Sequence, residues 1–177
     1  DAPNRGSGKT LLADVIAAVT LGSAAHVMSL SHEEAEIENR ITAVLLAGRP
    51  MVLIDNVTSL TSSSLSAVLT TVLWQGRRLG KSEIVQVPNR ALWIATRNNV
   101  RLSDELARRS VQIRLDAGVE RPELRTGFRH PDLLEWALQQ RGKLVSAALS
   151  LVRAWLDAGR PKEEGTLGRY ESWVGVM

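Results

Sequence analysis

Apolar residues follow helical spacing in two stretches of the first third of the chain and strand spacing between and after them. Leu11–Leu21 repeats apolar positions every three or four residues and predicts a helix behind a glycine-containing loop. Glu33–Ala47 predicts a second helix, whose acidic start matches the positive end of the helix dipole. His26–Leu30 predicts a short strand. The continuous apolar run Met51–Ile54 predicts a strand buried on both faces.

The next segment mixes one helical stretch with several strand-like ones. Ser62–Trp74 predicts a helix capped by a Ser or Thr of the Thr61–Ser64 cluster. Turn residues at Gly80–Ser82 inside Arg77–Pro88 predict a β-hairpin. The strands predicted in this segment and after it are Glu83–Val87, Ala91–Thr96 and Val111–Leu115.

Only helical patterns follow residue 115, at Leu133–Leu138 and Leu144–Leu156, and a polar loop is predicted at Arg160–Gly168. Alternation of strands and helices followed by helices alone predicts an α/β fold: a parallel sheet with flanking helices and a small C-terminal helical part. We expect an α/β core over residues 1–118 and a helical segment over 119–177. Because the glycine-containing loop before the first helix begins near residue 1, we expect its supporting first strand to be missing and this end to be a cut edge. Tyr170–Met177 is mildly apolar and has no helix-ending signal, so we expect the other end to be a cut edge as well.

Composition narrows the class of protein only slightly. The 177 residues contain no Cys, which excludes disulfides and Cys-ligated metals and fits a cytoplasmic protein. No apolar run approaches the length of about 20 residues that a membrane helix needs, so no membrane partner is expected. The net charge of +3 is too small to indicate nucleic acid by itself.

A phosphate-loop motif stands near the start of the chain: Gly6, Ser7, Gly8, Lys9 and Thr10. The glycines allow a sharp turn whose amides point at phosphate oxygens, Lys9 would reach the β- and γ-phosphates, and the Thr10 hydroxyl would bind Mg²⁺. Pro3 stands where the full pattern has a glycine. The alternative is a Gly-rich turn that happens to precede Lys and Thr.

Asp55 follows the buried run Met51–Ile54 and is the expected second Mg²⁺ ligand. The alternative role for Asp55 is capping of the next turn. Asn56 stands where many such ATPases have a Glu that polarises water, and an amide cannot accept a proton. The candidate substitutes are Glu33, Glu34, Glu36 and Glu38, although a solvated helix start explains this cluster more simply.

Polar residues at two further points complete the candidate site. Asn98 follows the Ala91–Thr96 strand and could orient water and sense the γ-phosphate, or simply form a turn. Arg108 and Arg109 precede the last predicted strand. Either could act as an arginine finger on a neighbouring subunit, or both could be surface charge at a helix end.

Positive charge is concentrated between Arg77 and Arg101. This stretch holds six positive residues against Glu83, so its net charge of +5 leaves −2 for the rest of the chain. The six are Arg77, Arg78, Lys81, Arg90, Arg97 and Arg101. A hairpin with Lys81 near its tip would present charge to a phosphate backbone, whereas the scarcity of aromatic residues argues against base stacking. A solvated basic loop is the alternative.

Taken in order, these motifs resemble the AAA+ ATPases. The set comprises Gly6–Thr10, Leu53–Asn56, the Lys81 hairpin, Ala95–Asn98 and Arg108-Arg109. The order is similar to the clade with a β-hairpin before the sensor strand, which includes the superfamily 3 viral helicases. Four stretches look like the ATPase part of phage and prophage primase–helicase proteins: Ala2–Thr10, Arg40–Gly48, Leu79–Ser82 and Phe128–Leu133.

This resemblance implies a P-loop ATPase ring, usually a homo-hexamer, with ATP and Mg²⁺ at subunit interfaces and hairpins lining a channel for single-stranded DNA. By that match Gly6–Thr10 bind nucleotide, Thr10 and Asp55 hold Mg²⁺, and Asn98 is the first sensor. Arg108 or Arg109 would be the finger, and Lys81, with Arg77 and Arg78, the DNA contact. The chain departs from the family at Arg97, where a Gly is usual, and at Asn56.

Three functions remain open from the sequence. The leading one is an ATP-driven, helicase-like DNA motor of phage or prophage replication. The second is a non-translocating AAA+ initiator or loader that binds ATP and DNA, which Asn56 favours slightly. The third is a small-molecule P-loop kinase, which would need neither the paired arginines nor the basic hairpin.

Overall fold

The computed structural model of the chain describes residues 1–57, 60–99 and 102–162. It is a mixed α/β protein with a small parallel sheet and helices. The strands are β1 (Met51–Val57), β2 (Leu73–Arg77), β3 (Ile84–Pro88) and β4 (Leu92–Arg97). The helices are α1 (Lys9–Leu21), α2 (Glu34–Leu46), α3 (Ser63–Val68), α4 (Asp104–Ala107), α5 (Leu133–Gln139) and α6 (Arg141–Asp157), with a 3₁₀ turn at Pro122–Leu124.

Contacts divide the chain into two units. Unit 1 contains residues 1–10 and 25–124, and unit 2 contains residues 11–24 and 125–177. This division is drawn from spatial contacts. The sequence-based boundary after residue 118 stays a prediction about domain organisation.

The parallel sheet of unit 1 is built on β1 and β4, which pair from Met51 opposite Leu92 to Ile54 opposite Ala95. The first four residues of β1 are all buried, as the apolar run predicts. Helix α2 contributes Ile37, Ile41 and Leu45 to the same core, at the spacing read from the sequence. Each such side chain, fully buried, stabilises the fold by about 1.5–3 kcal/mol.

Three short segments extend this sheet by single parallel pairings. Val27 pairs with Leu53 of β1, and Ala2 pairs with Asn98 just beyond β4. Asp1 donates to Ile113 O at 2.9 Å and its carbonyl accepts from the Leu115 amide at 2.8 Å, the bond pattern of parallel neighbours. Across the sheet the segments therefore run in the order 113–115, 1–2, β4, β1, 26–28.

Two predicted strands are thus wrong as continuous strands. His26–Leu30 contributes one bridge, and Val111–Leu115 has no strand of its own. Val27 is 64% exposed and Ile113 56%, whereas Met28 is buried in the core. Burial therefore does not stabilise a longer ladder at 111–115, and at 26–30 it accompanies only the single bridge at Val27. We expected the strand before the phosphate loop to be missing. Ala2, which is fully buried, instead makes one parallel pairing with Asn98 beyond β4.

The predicted helix Ser62–Trp74 is also wrong in its second half. Helix α3 ends at Val68, and Trp74 belongs to strand β2. The β-branched Thr70, Thr71 and Val72 favour extended backbone, and the buried Trp74 indole donates to Thr42 Oγ1 of α2 at 2.9 Å. The predicted cap is confirmed, because Ser62 Oγ accepts from the Leu65 amide.

Strands β2 and β3 form the predicted antiparallel hairpin, with Arg77 opposite Ile84 next to the turn. The Lys81 amide donates to Arg78 O at 3.1 Å, and Gly80 at φ +77° supplies the left-handed conformation that this turn requires. Gly76 is required for another reason: a Cβ there would lie 2.2 Å from Thr42 Oγ1. The hairpin base is therefore fixed against α2, whereas its turn extends into solvent.

Unit 2 contains most of α1 together with α5 and α6, which confirms the predicted helices. Arg141 caps the end of α1, donating to Val19 O at 3.0 Å and Thr20 O at 3.2 Å. Helix α6 buries none of its residues.

Most of the predicted loop Arg160–Gly168 lies outside the described residues. No described helix combines the length and the apolar character that a membrane span requires.

Candidate phosphate-binding site

The loop between Ala2 and α1 has the backbone geometry that the motif predicts. Gly6 and Gly8 have φ of +73° and +84°, which side-chain-bearing residues rarely adopt. A Cβ on Gly6 would also lie 2.8 Å from Glu123 Cβ. Ser7 Oγ donates to Asn4 O at 2.6 Å and closes the loop on itself. The loop is therefore a compact turn that leads directly into the N-terminus of α1.

Asn4 ties this loop to the segment that follows residue 115. Its side-chain amide donates to the carbonyls of Val119 and Glu120, each at 3.2 Å. Sequence analysis missed this role, because nothing in the spacing of a lone Asn indicates a partner more than a hundred residues away.

Lys9 lies over the end of β4. Its ammonium donates to Asn98 Oδ1 at 2.7 Å and to Asn4 O at 3.4 Å. Burial lowers the pKa of Lys9, and the nearby Asp55 carboxylate acts in the opposite direction. The predicted phosphate-binding lysine and the predicted sensor amide are thus in direct contact.

Asp55 meets the same loop from the end of β1. Thr10 Oγ1 donates to Asp55 Oδ1 at 2.8 Å, although 45 residues separate them in the chain. Thr96 Oγ1 of β4 donates to the same oxygen. The cluster Lys9, Thr10, Asp55, Thr96 and Asn98, called the strand-end cluster below, gathers at the carboxyl ends of two adjacent parallel strands. In open α/β sheets this is the edge at which ligands bind.

The donor set of this cluster suits one class of metal ion. Among the described residues, no three His, Cys, Asp or Glu side chains are grouped so that they could hold a metal. Mg²⁺ does not need such a cage, because it is usually bound through one or two carboxylates, water and substrate phosphates. The Asp55 carboxylate and the Thr10 hydroxyl, which keeps lone pairs while donating, fit that mode of binding.

Asn56 directly follows Asp55 and is held in an unusual conformation. Its φ is +52°, and its backbone N–H donates to Thr96 Oγ1 at 2.9 Å. Two of the four candidate carboxylates have other partners. Glu36 pairs with Arg40 at 2.7 Å, and Glu34 accepts hydrogen bonds from Ser62, Ser63 and Ser64.

The contacts of Glu34 explain its acidity. Burial raises the pKa of Glu34, but the Ser64 amide together with the serine hydroxyls outweighs it and lowers that pKa to about 2. The carboxylate therefore joins the start of α2 to the start of α3, which is a structural role.

The two candidate finger arginines differ in their contacts. Arg109 donates to Ser66 O and pairs with Glu105 at 2.9 Å. Arg108 is exposed, and its guanidinium makes no hydrogen bond or ion pair with any residue that the structure describes. Both stand at the end of α4, and the predicted strand after them is reduced to the backbone pairing of 113–115 with Asp1.

The basic stretch does not form one surface. Arg97 is 6% exposed, with Nε 3.9 Å from Asp1 Oδ1, so its charge adds little to any exposed basic surface. Burial lowers the pKa of Arg97. Arg78 pairs with Glu83 at 3.7 Å, whereas Arg77 and Lys81 are exposed and unpaired among the described residues. Arg101 lies outside those residues.

Comparison with known proteins does not identify a family for this chain. No protein-family model matches the chain, and no curated protein matches it.

Proposed function

We propose that this chain is an ATP-binding and ATP-hydrolysing motor that acts on DNA, a helicase-like ATPase of phage or prophage replication. The observation that carries the proposal is the strand-end cluster. Thr10, the neighbour of Lys9, donates to Asp55 at 2.8 Å, and Lys9 itself reaches Asn98 at 2.7 Å. Residues from three distant parts of the chain thus form one polar site behind a glycine turn.

Four members of the cluster have a chemical task in this proposal. The amides of Gly6–Thr10 and the Lys9 ammonium bind the phosphates, and Lys9 exchanges its contact with Asn98 for a γ-phosphate oxygen. Asn98 is then free to orient water. Thr10 and Asp55 would hold Mg²⁺, which would supply charge neutralisation at the phosphates. The order of sheet segments, with residues 1–2 between β4 and 113–115, supports this site because it puts the loop beside β4.

The hairpin is the proposed DNA contact. Arg77 and Lys81 project from a fixed base without partners among the described residues, so their charges are available to a phosphate backbone. Arg78 contributes less because Glu83 neutralises it. Contacts of this kind bind single-stranded DNA with little dependence on its sequence.

Hydrolysis in a homo-hexameric ring would use Arg108 as the finger on the neighbouring subunit's nucleotide. Arg109 is held by Glu105 and Ser66 within its own subunit, whereas Arg108 is not. An arginine without partners in its own subunit is available to a neighbouring subunit's nucleotide. This difference favours Arg108 over Arg109, which the sequence left equivalent.

Asn56 supports one second candidate, a non-translocating initiator or loader. The residue after Asp55 is an asparagine, and two of the candidate carboxylates, Glu34 and Glu36, are held by other residues. Slow hydrolysis would then make ATP binding the functional event rather than turnover.

Two assays test the proposal and separate the candidates. ATPase activity should rise with single-stranded DNA, and Lys81→Ala should lower that stimulation, with exposed Lys143→Ala of α6 as the matched control. Strand displacement with turnover marks a motor, whereas ATP-dependent DNA binding without unwinding marks the loader. Absence of ATP binding by the wild-type chain overturns both.

A further inference from the structure

Thr96 is the polar residue most deeply buried in the strand-end cluster, with 4% of its surface exposed. It lies near the end of β4, opposite the end of β1. A threonine at a buried strand position is common for its β-branched shape alone, so the question is what its hydroxyl does.

The hydroxyl makes two contacts, and both are at the end of β1. It donates a hydrogen bond to Asp55 Oδ1 and accepts one from the backbone N–H of Asn56 at 2.9 Å. Asp55 itself is exposed, and its Oδ1 also accepts from Thr10. Its other oxygen, Oδ2, has no hydrogen-bond partner among the described residues. One carboxylate oxygen is thus fixed by two hydroxyls, while the other accepts no hydrogen bond from a described residue.

We propose that Thr96 is a positioning residue that orients the Asp55 carboxylate for Mg²⁺ bound with the nucleotide. This inference rests on the proposed function and names a residue that acts on the metal only through Asp55. Without the hydroxyl, Asp55 keeps Thr10 as its one donor, and its exposed side chain can rotate among staggered conformers. The Asn56 amide, in its left-handed turn, also loses its acceptor.

The expected consequence is specific to the metal. Groups that hold a metal ligand by hydrogen bonding typically contribute 10–100-fold to metal affinity. Lys9 and the loop amides bind phosphate without Thr96, so binding of nucleotide in the absence of Mg²⁺ should depend on it little.

Thr96→Val and Thr96→Ser separate the hydroxyl from the shape of the side chain. Valine keeps the branched volume and removes the hydroxyl, whereas serine keeps the hydroxyl. A fluorescent ATP analogue is titrated onto each full chain in EDTA and again across a Mg²⁺ series. Unfolding midpoints are measured alongside, because a purely structural role changes those and leaves the Mg²⁺ response of the folded protein alone.

Thr96→Val should require about 10-fold more Mg²⁺ for half-maximal enhancement of binding, and Thr96→Ser should stay within about twofold of the wild type. Equal Mg²⁺ responses of Thr96→Val and wild type overturn the inference, as do equal defects in both variants. If Thr96→Val fails to fold, Thr96→Ser and Thr10→Ser still report on the two donors to Asp55. A changed Mg²⁺ requirement in Thr96→Ser alone, which keeps the hydroxyl, contradicts the inference. A wild-type chain that binds no nucleotide refutes the proposed function instead.

Discussion

The strand-end cluster and the hairpin turn are both rich in polar and charged groups, but they satisfy them in opposite ways. At the cluster, Lys9, Thr10 and Thr96 all donate to acceptors that other segments of the chain supply. At the hairpin turn, Arg77 and Lys81 have no partner among the described residues. The polar groups of the cluster are paired within the chain, whereas the charged side chains of the hairpin turn are exposed to solvent.

This difference teaches where to expect folding effects and where to expect binding effects. Buried polar groups are costly to leave unpaired, so removing a partner there changes stability as well as function. Exposed charges contribute little to the fold, and their removal changes interactions with other molecules. The four predictions below use this contrast, from the largest expected effect to the smallest.

Arg108 and Arg109 are adjacent residues that show the same contrast, among the described residues, between an unpaired and a paired charge. Arg108→Ala should lower the ATPase rate of the assembled protein by about 10³-fold while the unfolding midpoint stays unchanged. Arg109→Ala removes the contacts with Ser66 and Glu105 and should lower the free energy of unfolding by about 1 kcal/mol. Steady-state hydrolysis and urea unfolding measure the two effects. A stable Arg109→Ala that cannot hydrolyse ATP, beside an active Arg108→Ala, would reverse the assignment.

Lys9→Ala tests the organised region directly. Loss of a charged hydrogen-bond donor to the phosphates is worth about 3 kcal/mol, so the dissociation constant for an ATP analogue should rise about 100-fold. Calorimetric titration gives this constant. Lys143→Ala, an exposed lysine of α6, is the control and should bind as the wild type does. Unchanged affinity in Lys9→Ala would show that the phosphates lie elsewhere.

The hairpin should show its effect in the salt dependence of DNA binding. Each phosphate contact that is removed lowers the slope of log affinity against log salt by about 1. We expect that change for Arg77→Ala and for Lys81→Ala, and a smaller one for Arg78→Ala because Glu83 already pairs with Arg78. Fluorescence anisotropy across a salt series measures all three. An equal or larger change in Arg78→Ala would contradict the assignment of the free charges.

Substitution of Glu34 should give the smallest effect, a loss of folding stability that changes with pH only in the acidic range. Its pKa is lowered to about 2 in the folded state from 4.5, so its contribution to stability is complete above pH 4.5 and is lost as the pH falls toward 2. Glu34→Gln should therefore be less stable than the wild type at pH 6, and the difference should shrink toward zero near pH 2. Urea unfolding across this pH range measures it, and a pH-independent difference would exclude the ionised contacts as its source.

The sequence predicted best those features that depend on short-range patterns. The apolar run of β1, the stripe of α2 and the hairpin turn at Gly80 were confirmed because each is set by neighbours a few residues away. The helix over 62–74 failed in its second half because Trp74 is fixed by Thr42, a contact across 32 residues.

The candidate site divides in the same manner. The glycine turn and Asp55 could be identified from motifs, since their chemistry imposes their spacing. Thr96, Asn4 and the inward turn of Arg97 could not, because each depends on a partner from a distant segment. The difference in contacts between Arg108 and Arg109 likewise depends on the positions of Glu105 and Ser66.

The most direct test of the central claim is a crystal structure of the chain with Mg²⁺ and a non-hydrolysable ATP analogue. The account predicts Lys9 Nζ on the β- and γ-phosphates and the metal beside Thr10 Oγ1 and Asp55, with Thr96 still bonded to that carboxylate. A triphosphate bound away from the loop 6–10, or a metal that Asp55 does not approach, would contradict it.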